Sequence, residues 1–477
     1  MDVKFVKQKT FKHFFDSFAQ KRIKYRRHRS YYWKSISKYC NYYIHPEHSI
    51  LELGCGTGEF INEIKGVKKT GIDFSGQMIE QARRQFPDMD LHVMEAENIQ
   101  LTETYDVIIM SNLLSYIEDV QCVLNQTHKA CHKQTKIIIT HYNHLWEPLI
   151  KFAEFTGIKK RLPPLNWLSN NDLDNFLYLS GFEKYKQSQN MLIPFNIPGI
   201  SWFFNKILSK LPLFNYFALN KYIFARKAVD VSSENDRQYS CSIIIPARNE
   251  SGNIEYAVKR IPEFGKHIEI IFIEGNSTDD TWEKIQEVQK KYKDSHDIKI
   301  DRQDGKGKGD AVRKGFNMAS GDILMILDAD LTVPPEDLPK FYNAMAGRPG
   351  DFINGSRLVY PLEKNAMRTL NLFGNKFFSV MFSWILEQPI RDTLCGTKVI
   401  FKNDYERLAA NRAFFGDFDP FGDFDLIFGA YKLNLKIIDL PIRYQERKYG
   451  DTNISRFKHG MLLFRMMFFA IVKIKFW

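Results

Sequence analysis

LMILDADLTVPPEDL, Leu324 to Leu338, runs four apolar residues into two aspartates one residue apart and then turns through Pro334 and Pro335. A strand buried on both faces reads as such a continuous apolar run. Ending it in two carboxylates is costly unless something positive lies between them. Asp328 and Asp330 are therefore candidate site residues, and the strand should belong to a parallel sheet whose ligands bind beyond the carboxyl ends of its strands.

Working outward, SIIIP (Ser242–Pro246), EIIFIE (Glu269–Glu274), ILMILD (Ile323–Asp328) and KIIDLPI (Lys436–Ile442) alternate with helical patterns. The same alternation occurs earlier in SILELG (Ser49–Gly54), TGIDF (Thr70–Phe74), YDVIIM (Tyr105–Met110) and KIIIT (Lys136–Thr140). Strands alternating with helices imply parallel sheets, so the expected class is α/β, with two doubly wound domains. Between them AVDVSSENDRQYS, Ala228 to Ser240, is polar and poor in apolar residues. It reads as a linker, giving domains at 1–227 and 240–477 joined by 228–239.

The 477 residues exceed one ordinary core, and 44% apolar content with 14% aromatic is that of a globular protein. A net charge of +11 calls for an acidic partner: a phosphorylated substrate, an anionic membrane surface or nucleic acid. The basic run KRIKYRRHR, Lys21 to Arg29, is not accompanied by stacking platforms, so nucleic acid is not the expected partner. Six cysteines without a CxxC pair fit reduced, structural thiols and no zinc site. The N-terminus carries no apolar run with a small-residue cleavage site, and MDVKFVKQKTFKHFF reads as a basic amphipathic helix. Two aromatic and basic stretches, Ile197 to Phe217 and Gly460 to Trp477, suit helices lying in a membrane interface or packed on the protein's own core. The expected location is the cytoplasmic face of a membrane, held peripherally.

LELGCGTGEF, Leu51 to Phe60, is a strand followed by three alternate glycines and a helix start. Glycine lets the backbone turn sharply and approach a ligand. About one βα unit later Asp73 ends a strand, placed to accept hydrogen bonds from two ribose hydroxyls. The NAD-type fingerprint G-x-G-x-x-G fails, meeting Glu59 or Ile61 in its two registers. With MEAENI (Met94–Ile99) and YDVIIMSNLLSYIED following, residues 10–227 resemble a class I S-adenosylmethionine-dependent methyltransferase. The resemblance implies that Glu52, Gly54, Gly56 and Gly58 shape the methionine and ribose pocket and Asp73 holds the ribose. Ala96 and Glu97 would lie by the adenine, and Asn112 and Leu113 would border the methyl acceptor. His141, Tyr142 and His144 are candidates for a catalytic base or for packing. A non-catalytic domain of the same fold is the alternative.

In the second half, SIIIPARNE, EIIFIEGNSTDDT, DGKGKGDAVRKGF and ILMILDADL occur in order. Together they resemble a family 2 glycosyltransferase of the GT-A fold, most like the dolichyl- and polyprenyl-phosphate sugar synthases, over residues 240–458. By that resemblance Pro246, Arg248, Glu250, Glu274, Ser277, Asp279, Lys308, Asp310 and Asp328 line the nucleotide-sugar pocket, with Lys306 at its edge. Asp328 and Asp330 would hold Mg²⁺ or Mn²⁺, which neutralises the departing diphosphate. Thr332 stands where the family often has a third ligand, a glutamine; Gly275 replaces an acid and Thr397 an aromatic residue. Arg357, Arg368, Asp392, Lys398 and Arg447 fall at acceptor-side positions, and arginine forks suit phosphate oxygens.

The expected activity is an inverting, metal-dependent transfer of a sugar from a nucleotide-sugar to polyprenyl phosphate or a related glycolipid, with methylation in the same pathway. A phosphate acceptor is already an anion and needs no base. A sugar-hydroxyl acceptor, the alternative, needs one, and Asp423 or Asp425 would supply it, with the first domain a docking module.

Overall fold

The computed structural model describes residues 12–20, 22, 30–157, 166–228, 239–347, 350–357, 369–412, 422, 424–442, 444, 445, 447, 449 and 456–476. They fall into two compact units, Met1–Ala228 and Val229–Trp477. Residues 229–238 of the expected linker, Arg368 and Asp423 lie outside the described residues, as does most of the basic run at 21–29.

The first unit is built on β1 (Ser49–Leu53), β2 (Lys68–Asp73), β3 (Asp90–Val93), β4 (Tyr105–Ser111), β5 (Cys131–Tyr142), β6 (Phe182–Asn190) and β7 (Asn220–Lys227). Their order is β3-β2-β1-β4-β5-β7-β6. The first five pair in parallel, with Leu53 opposite Ile72 and Met110, so the ends of β1, β2 and β4 share one edge. Leu51, Leu53, Ile72, Ile108, Met110, Ile137 and Ile139 are buried in one continuous core. Expected as wholly parallel, the sheet instead ends in two antiparallel strands, β7 pairing antiparallel with both β5 and β6. The sequence FEKYKQSQN of β6 is too polar to announce a strand; as an edge strand it need not be apolar on both faces.

Between β6 and β7 the stretch expected as a helix, at a membrane interface or on the protein's own core, is instead a series of short helical turns: Ile200–Trp202, Phe203–Ile207, Leu208–Lys210 and Pro212–Asn215. Pro212 opens the last turn after extended Leu211, so a single helix cannot run through.

The second unit holds β8 (Ser240–Ala247), β9 (His267–Glu274), β10 (Asp297–Arg302), β11 (Ile323–Ile326), β12 (Phe352–Ser356), β13 (Lys398–Phe401) and β14 (Ile437–Pro441). The order is β10-β9-β8-β11-β13-β12-β14. Strands β8 to β11 run parallel to one another, while β13 runs antiparallel between β11 and β12. Ala247 lies opposite Glu274 and Ile326 opposite Ile244, which brings Glu250, Glu274, Asp328 and Asp330 to one edge. The core beneath is Ile243, Ile245, Ile270 and Phe272 with Met325, Leu327 and Val399.

The helix Arg456–Ala470 continues through Ile471–Lys475 and packs Phe464 on Phe377 and Phe378 of the helix Thr369–Leu386, with ring centroids 5.9 and 5.2 Å apart. Met461, Phe468, Val472 and Val380 remain exposed. Among the described residues no helix is long and apolar enough to cross a membrane.

Candidate functional sites

At the end of β1 the chain passes through Gly54, Gly56 and Gly58 with φ of +75°, +55° and +80°. Side chains are strained in this left-handed region, and space forbids them too. A Cβ on Gly54 would stand 2.7 Å from Leu113 Cδ1, and one on Gly56 2.7 Å from the Arg22 guanidinium. Asp73, closing β2, accepts the Gly56 N–H on Oδ2 (2.8 Å) and the Ser75 N–H on Oδ1 (2.9 Å). Burial raises its pKa, against the pull of the Ser75 N–H, Arg22 and the Gly56 N–H. The carboxylate is thereby fixed in orientation, and each oxygen keeps a lone pair for a further donor.

Gly54, Asp73, Ala96, Glu97, Asn112 and Leu113 line one cavity, as their expected roles require. Three other expected residues do not. Glu52 is buried within β1, Gly56 lies behind Arg22, and Gly58 caps the helix Glu59–Glu63 while facing Met89 and Phe86. They support the cavity from behind.

The resemblance takes in the helical segment FDSFAQKRIKYRRHRSYYW, Phe15 to Trp33, but assigns none of its residues to the cavity, whose roof its described residues form. The helix at 12–20 lays Phe15 on Phe74 and Tyr116, with centroids 5.7 and 5.5 Å apart, and buries Phe18 and Ala19 against Met78. Asp16 bonds the Ser75 hydroxyl, and Arg22 enters the cavity beside Asp73. The signal was present in the phenylalanines before a basic run, but nothing local places Arg22 of that run in the cavity. A cavity with a fixed carboxylate, a guanidinium and aromatic walls suits the adenosyl and amino-acid parts of the cofactor implied by the sequence.

Asn112, with φ of +53°, donates from Nδ2 to the Tyr32 hydroxyl (3.1 Å), which donates to Asn220 Oδ1 (3.0 Å). His141 does not serve as the candidate base. It is 2% exposed and bonds through Nδ1 to the Tyr142 carbonyl, and burial, with the nearby Lys221 charge, lowers its pKa to about 4. An imidazole that is neutral when folded and titrates near 6.5 when unfolded contributes stability that is full above pH ~6.5 and lost as pH falls towards 4. Between these limits the first unit should lose about 3 kcal/mol. Chemical denaturation at both pH values should show this slope in the parent and its loss in His141→Gln.

In the second unit three turns leave their strands through left-handed asparagines or leucine: Asn249 (φ +55°), Asn276 (+58°) and Leu331 (+53°). Each redirects the chain at the edge where the acids gather. Glu274 accepts the Ser277 N–H (2.5 Å) and faces Arg302 at 3.7 Å, while Asp279 caps the Thr281 N–H. Asp310 accepts the Gly305 N–H (2.7 Å), closing the basic loop so that Lys308 reaches Asp328 Oδ1 at 2.6 Å. A Cβ at Gly396 would meet the Asp328 carboxylate and the Lys308 amine, so a side chain there would displace this pair.

Asp330 accepts the N–H and hydroxyl of Thr332 on Oδ1, at 3.1 and 2.8 Å. Its Oδ2 lies 2.6 Å from Arg447 Nη2, and Arg447 Nη1 lies 2.9 Å from Glu250 Oε1. The Gln445 N–H donates to the Thr332 carbonyl, and the Tyr449 ring covers Gly252, tying this segment to the paired aspartates. Burial pushes the Glu250 carboxyl up to about 7 despite Arg447 and Asn253. Arg447, expected on the acceptor side, thus belongs in this conformation to the acid cluster.

Three further acceptor-side expectations change. Arg357 forks onto Asp392 (Nε–Oδ2 2.7 Å, Nη2–Oδ1 2.8 Å); Asp392 is wholly buried and the Arg357 side chain is 12% exposed. Lys398 is wholly buried, with Nζ donating to the Cys395 carbonyl. These residues brace β12 and β13 and do not reach for a phosphate. Asp425 is not an accessible base either: it is 6% exposed, with Arg313 Nη1 and Arg412 Nε at 3.6 and 3.8 Å. Sequence showed an acid at a helix start; only packing shows two guanidiniums beside it. Pro246 lies in β8, and the Arg248 side chain passes over Gly275.

Among the described residues no cluster of three or more His, Cys, Asp or Glu could hold a metal alone. Two hard carboxylates fit an ion that takes its remaining ligands from water and substrate phosphates, as Mg²⁺ commonly does.

Residues 242–411 match the family model for glycosyl transferase family 2, and residues 44–178 match a methyltransferase domain model. The chain is 41% identical over 121 residues to a dolichol-phosphate mannosyltransferase of Pyrococcus furiosus, covering 25% of this chain and 33% of that one. It is 34% identical over 230 residues to an undecaprenyl-phosphate 4-deoxy-4-formamido-L-arabinose transferase of Salmonella paratyphi B, covering 45% and 62%. The matches thus span a third to three-fifths of these relatives. A SAM-dependent methyltransferase structure from Thermotoga maritima aligns at a TM-score of 0.36 with 19% identity, over 45% of this chain and 98% of that one.

Proposed function

Since the chain joins a methyltransferase domain to a glycosyl transferase family 2 domain, we propose that it is a bifunctional enzyme of the membrane surface. The second domain transfers a sugar from a nucleotide-sugar to polyprenyl phosphate or a related glycolipid, and the first methylates a component of the same pathway. The names of the two relatives, both transferases to a polyprenyl phosphate, support this acceptor. The observation that carries it is the burial of Asp425 between Arg313 and Arg412, which favours a reaction that needs no protein base.

Asp328 and Asp330 would hold Mg²⁺ or Mn²⁺, which supplies charge neutralisation for the departing diphosphate. Lys308 adds a cation at Asp328, and Arg447, which bridges Glu250 and Asp330, is poised to meet phosphate oxygens when the donor enters. An acceptor phosphate oxygen forms the new bond to the anomeric carbon from the face opposite the leaving group. The bond to the nucleoside diphosphate breaks, inverting the centre, and no proton changes hands. In the first domain Asp73 would hold the ribose, Arg22 would supply the charge for the amino-acid carboxylate of S-adenosylmethionine, and Ala96 and Glu97 would lie by the adenine; all four line the cavity. The apolar faces of the helices Thr369–Leu386 and Arg456–Ala470 favour peripheral attachment.

The test is transfer of label from a panel of nucleotide-sugars, with Mg²⁺ or Mn²⁺, to a short-chain polyprenyl phosphate in detergent. An organic-extractable product from one donor is the expected result. Nucleotide binding without any lipid product would move the acceptor to a sugar hydroxyl.

A further inference from the structure

The first unit exposes large apolar side chains in two neighbouring segments. On the helix Glu147–Phe155 they are Leu149, Phe152 and Phe155, the last 88% exposed. In the insertion between β6 and β7 they include Trp202 (60%), Phe203, Leu213 (72%) and Phe217. These two segments meet: Trp146 Nε1 donates to the Phe217 carbonyl (2.8 Å), and Asn143 Nδ2 donates to the Tyr216 and Ala218 carbonyls (both 2.9 Å).

Charge selects what would cover this surface. From Met191 to Leu219 the only charged residues are Lys206 and Lys210; there is no acid. The insertion packs along the helix Ser30–Tyr43, where Asn205 bonds the Tyr31 hydroxyl and Lys210 Nζ lies 5.9 Å from the Tyr39 ring, and that helix exposes Lys34 and Lys38. Lys38 lies close enough to Lys206 for its like charge to help lower the Lys206 pKa, after burial. On the neighbouring helix Lys151 is balanced by Glu147 at 2.6 Å. Aromatic and aliphatic side chains rimmed by lysines, with acids only at Glu147, which is paired with Lys151, and Glu154 on the neighbouring helix, complement an anionic bilayer, where rings sit at headgroup depth and lysines meet lipid phosphates.

The surface is continuous with the cavity's wall. Tyr32, Asn112 and Tyr142 line the cavity; Tyr32 bonds Asn220, the first residue after the insertion, and Asn143 follows Tyr142. We infer that the insertion between β6 and β7, together with the helix Glu147–Phe155, docks the first unit on an anionic membrane and that the methyl acceptor is a lipid-borne molecule reaching the cavity from that side. This rests on reading the first unit as a methyltransferase. In the transfer a lone pair on the acceptor forms a bond to the methyl carbon as the carbon–sulfur bond breaks onto sulfur. S-adenosylhomocysteine leaves, and the acceptor's proton passes to water.

The experiment uses the full chain with vesicles of phosphatidylcholine containing phosphatidylglycerol or a brominated phosphatidylglycerol. Brominated lipid should quench Trp202, seen as a component of the emission change that disappears in Trp202→Phe. Phe155→Asp combined with Leu213→Asp should lower vesicle partition about tenfold or more while S-adenosylhomocysteine binding is kept. With vesicles of total membrane lipid and methyl-tritiated S-adenosylmethionine, label should enter the organic phase. A vesicle-bound protein with unquenched Trp202, or a dimer that Phe155→Asp dissociates, would overturn the docking surface and, in the second case, assign it to another copy of the chain. Label confined to water-soluble product would overturn the lipid-borne acceptor. Lack of S-adenosylhomocysteine binding by the parent would instead remove the methyltransferase reading, whatever the vesicles show.

Discussion

Asp330→Asn is expected to slow sugar transfer by about 10³-fold, roughly 4 kcal/mol of transition-state stabilisation, with the fold intact. The carboxylate that would hold the cation also faces Arg447, so its charge enters the site twice. Asparagine keeps an oxygen for the Thr332 N–H and hydroxyl, which hold the turn after β11, and it removes only the charge. The leaving diphosphate would then depart against a cation held by Asp328 alone. Initial rates over a range of Mg²⁺ and Mn²⁺ concentrations, beside thermal unfolding of both proteins, check this. Transfer within about twofold of the parent at all metal concentrations would take Asp330 out of the chemistry.

The second large effect is on stability. Asp392→Ala should destabilise the second unit by about 3–5 kcal/mol, because it strands the Arg357 guanidinium, whose side chain is only 12% exposed. For a unit of this size that is a fall of about 6–20 °C in its unfolding midpoint. Burial alone would lower the Arg357 pKa, but Asp392 outweighs it and the net shift is upward. Burial likewise opposes ionisation of Asp392, yet Arg357 and the Arg357 and Leu394 N–H groups hold its pKa below the ordinary carboxylate value. A carboxyl depressed on folding gives stability that is present above its unfolded pKa and lost as pH falls through the folded one. The parent should therefore weaken below pH ~4, and Asp392→Ala should show less of this loss. The double replacement Arg357→Met with Asp392→Leu should recover much of the stability, since an apolar pair leaves no charge unpaired. A phosphate-binding Arg357 would behave differently: its substitution would raise the acceptor KM and leave the midpoint in place.

Much of both sites is written in short runs of sequence. Gly54 and Asp73, and likewise Asp328 and Asp330, end apolar strands, and parallel pairing places strand ends together wherever such runs recur. Side chains that act through distant partners are not legible in this way. Arg22 lies in a basic run, and nothing local says that its helix folds back over Gly56. Asp425 reads as an acid at a helix start until Arg313 and Arg412 arrive from two other segments.

The chain's sequence by itself determines two α/β halves, their apolar strands and the acids and glycines at the strand ends, because periodicity, β-branching and backbone freedom are local properties. Only the tertiary structure decides that β6, β7 and β13 run antiparallel, that Arg357 is paired with the buried Asp392 beside the buried Lys398, and that Arg447 spans Glu250 and Asp330. The physical reason is that strand direction at a sheet edge and the worth of a charge both depend on what is packed beside them. Burial turns the same arginine from a phosphate fork into half of a structural ion pair.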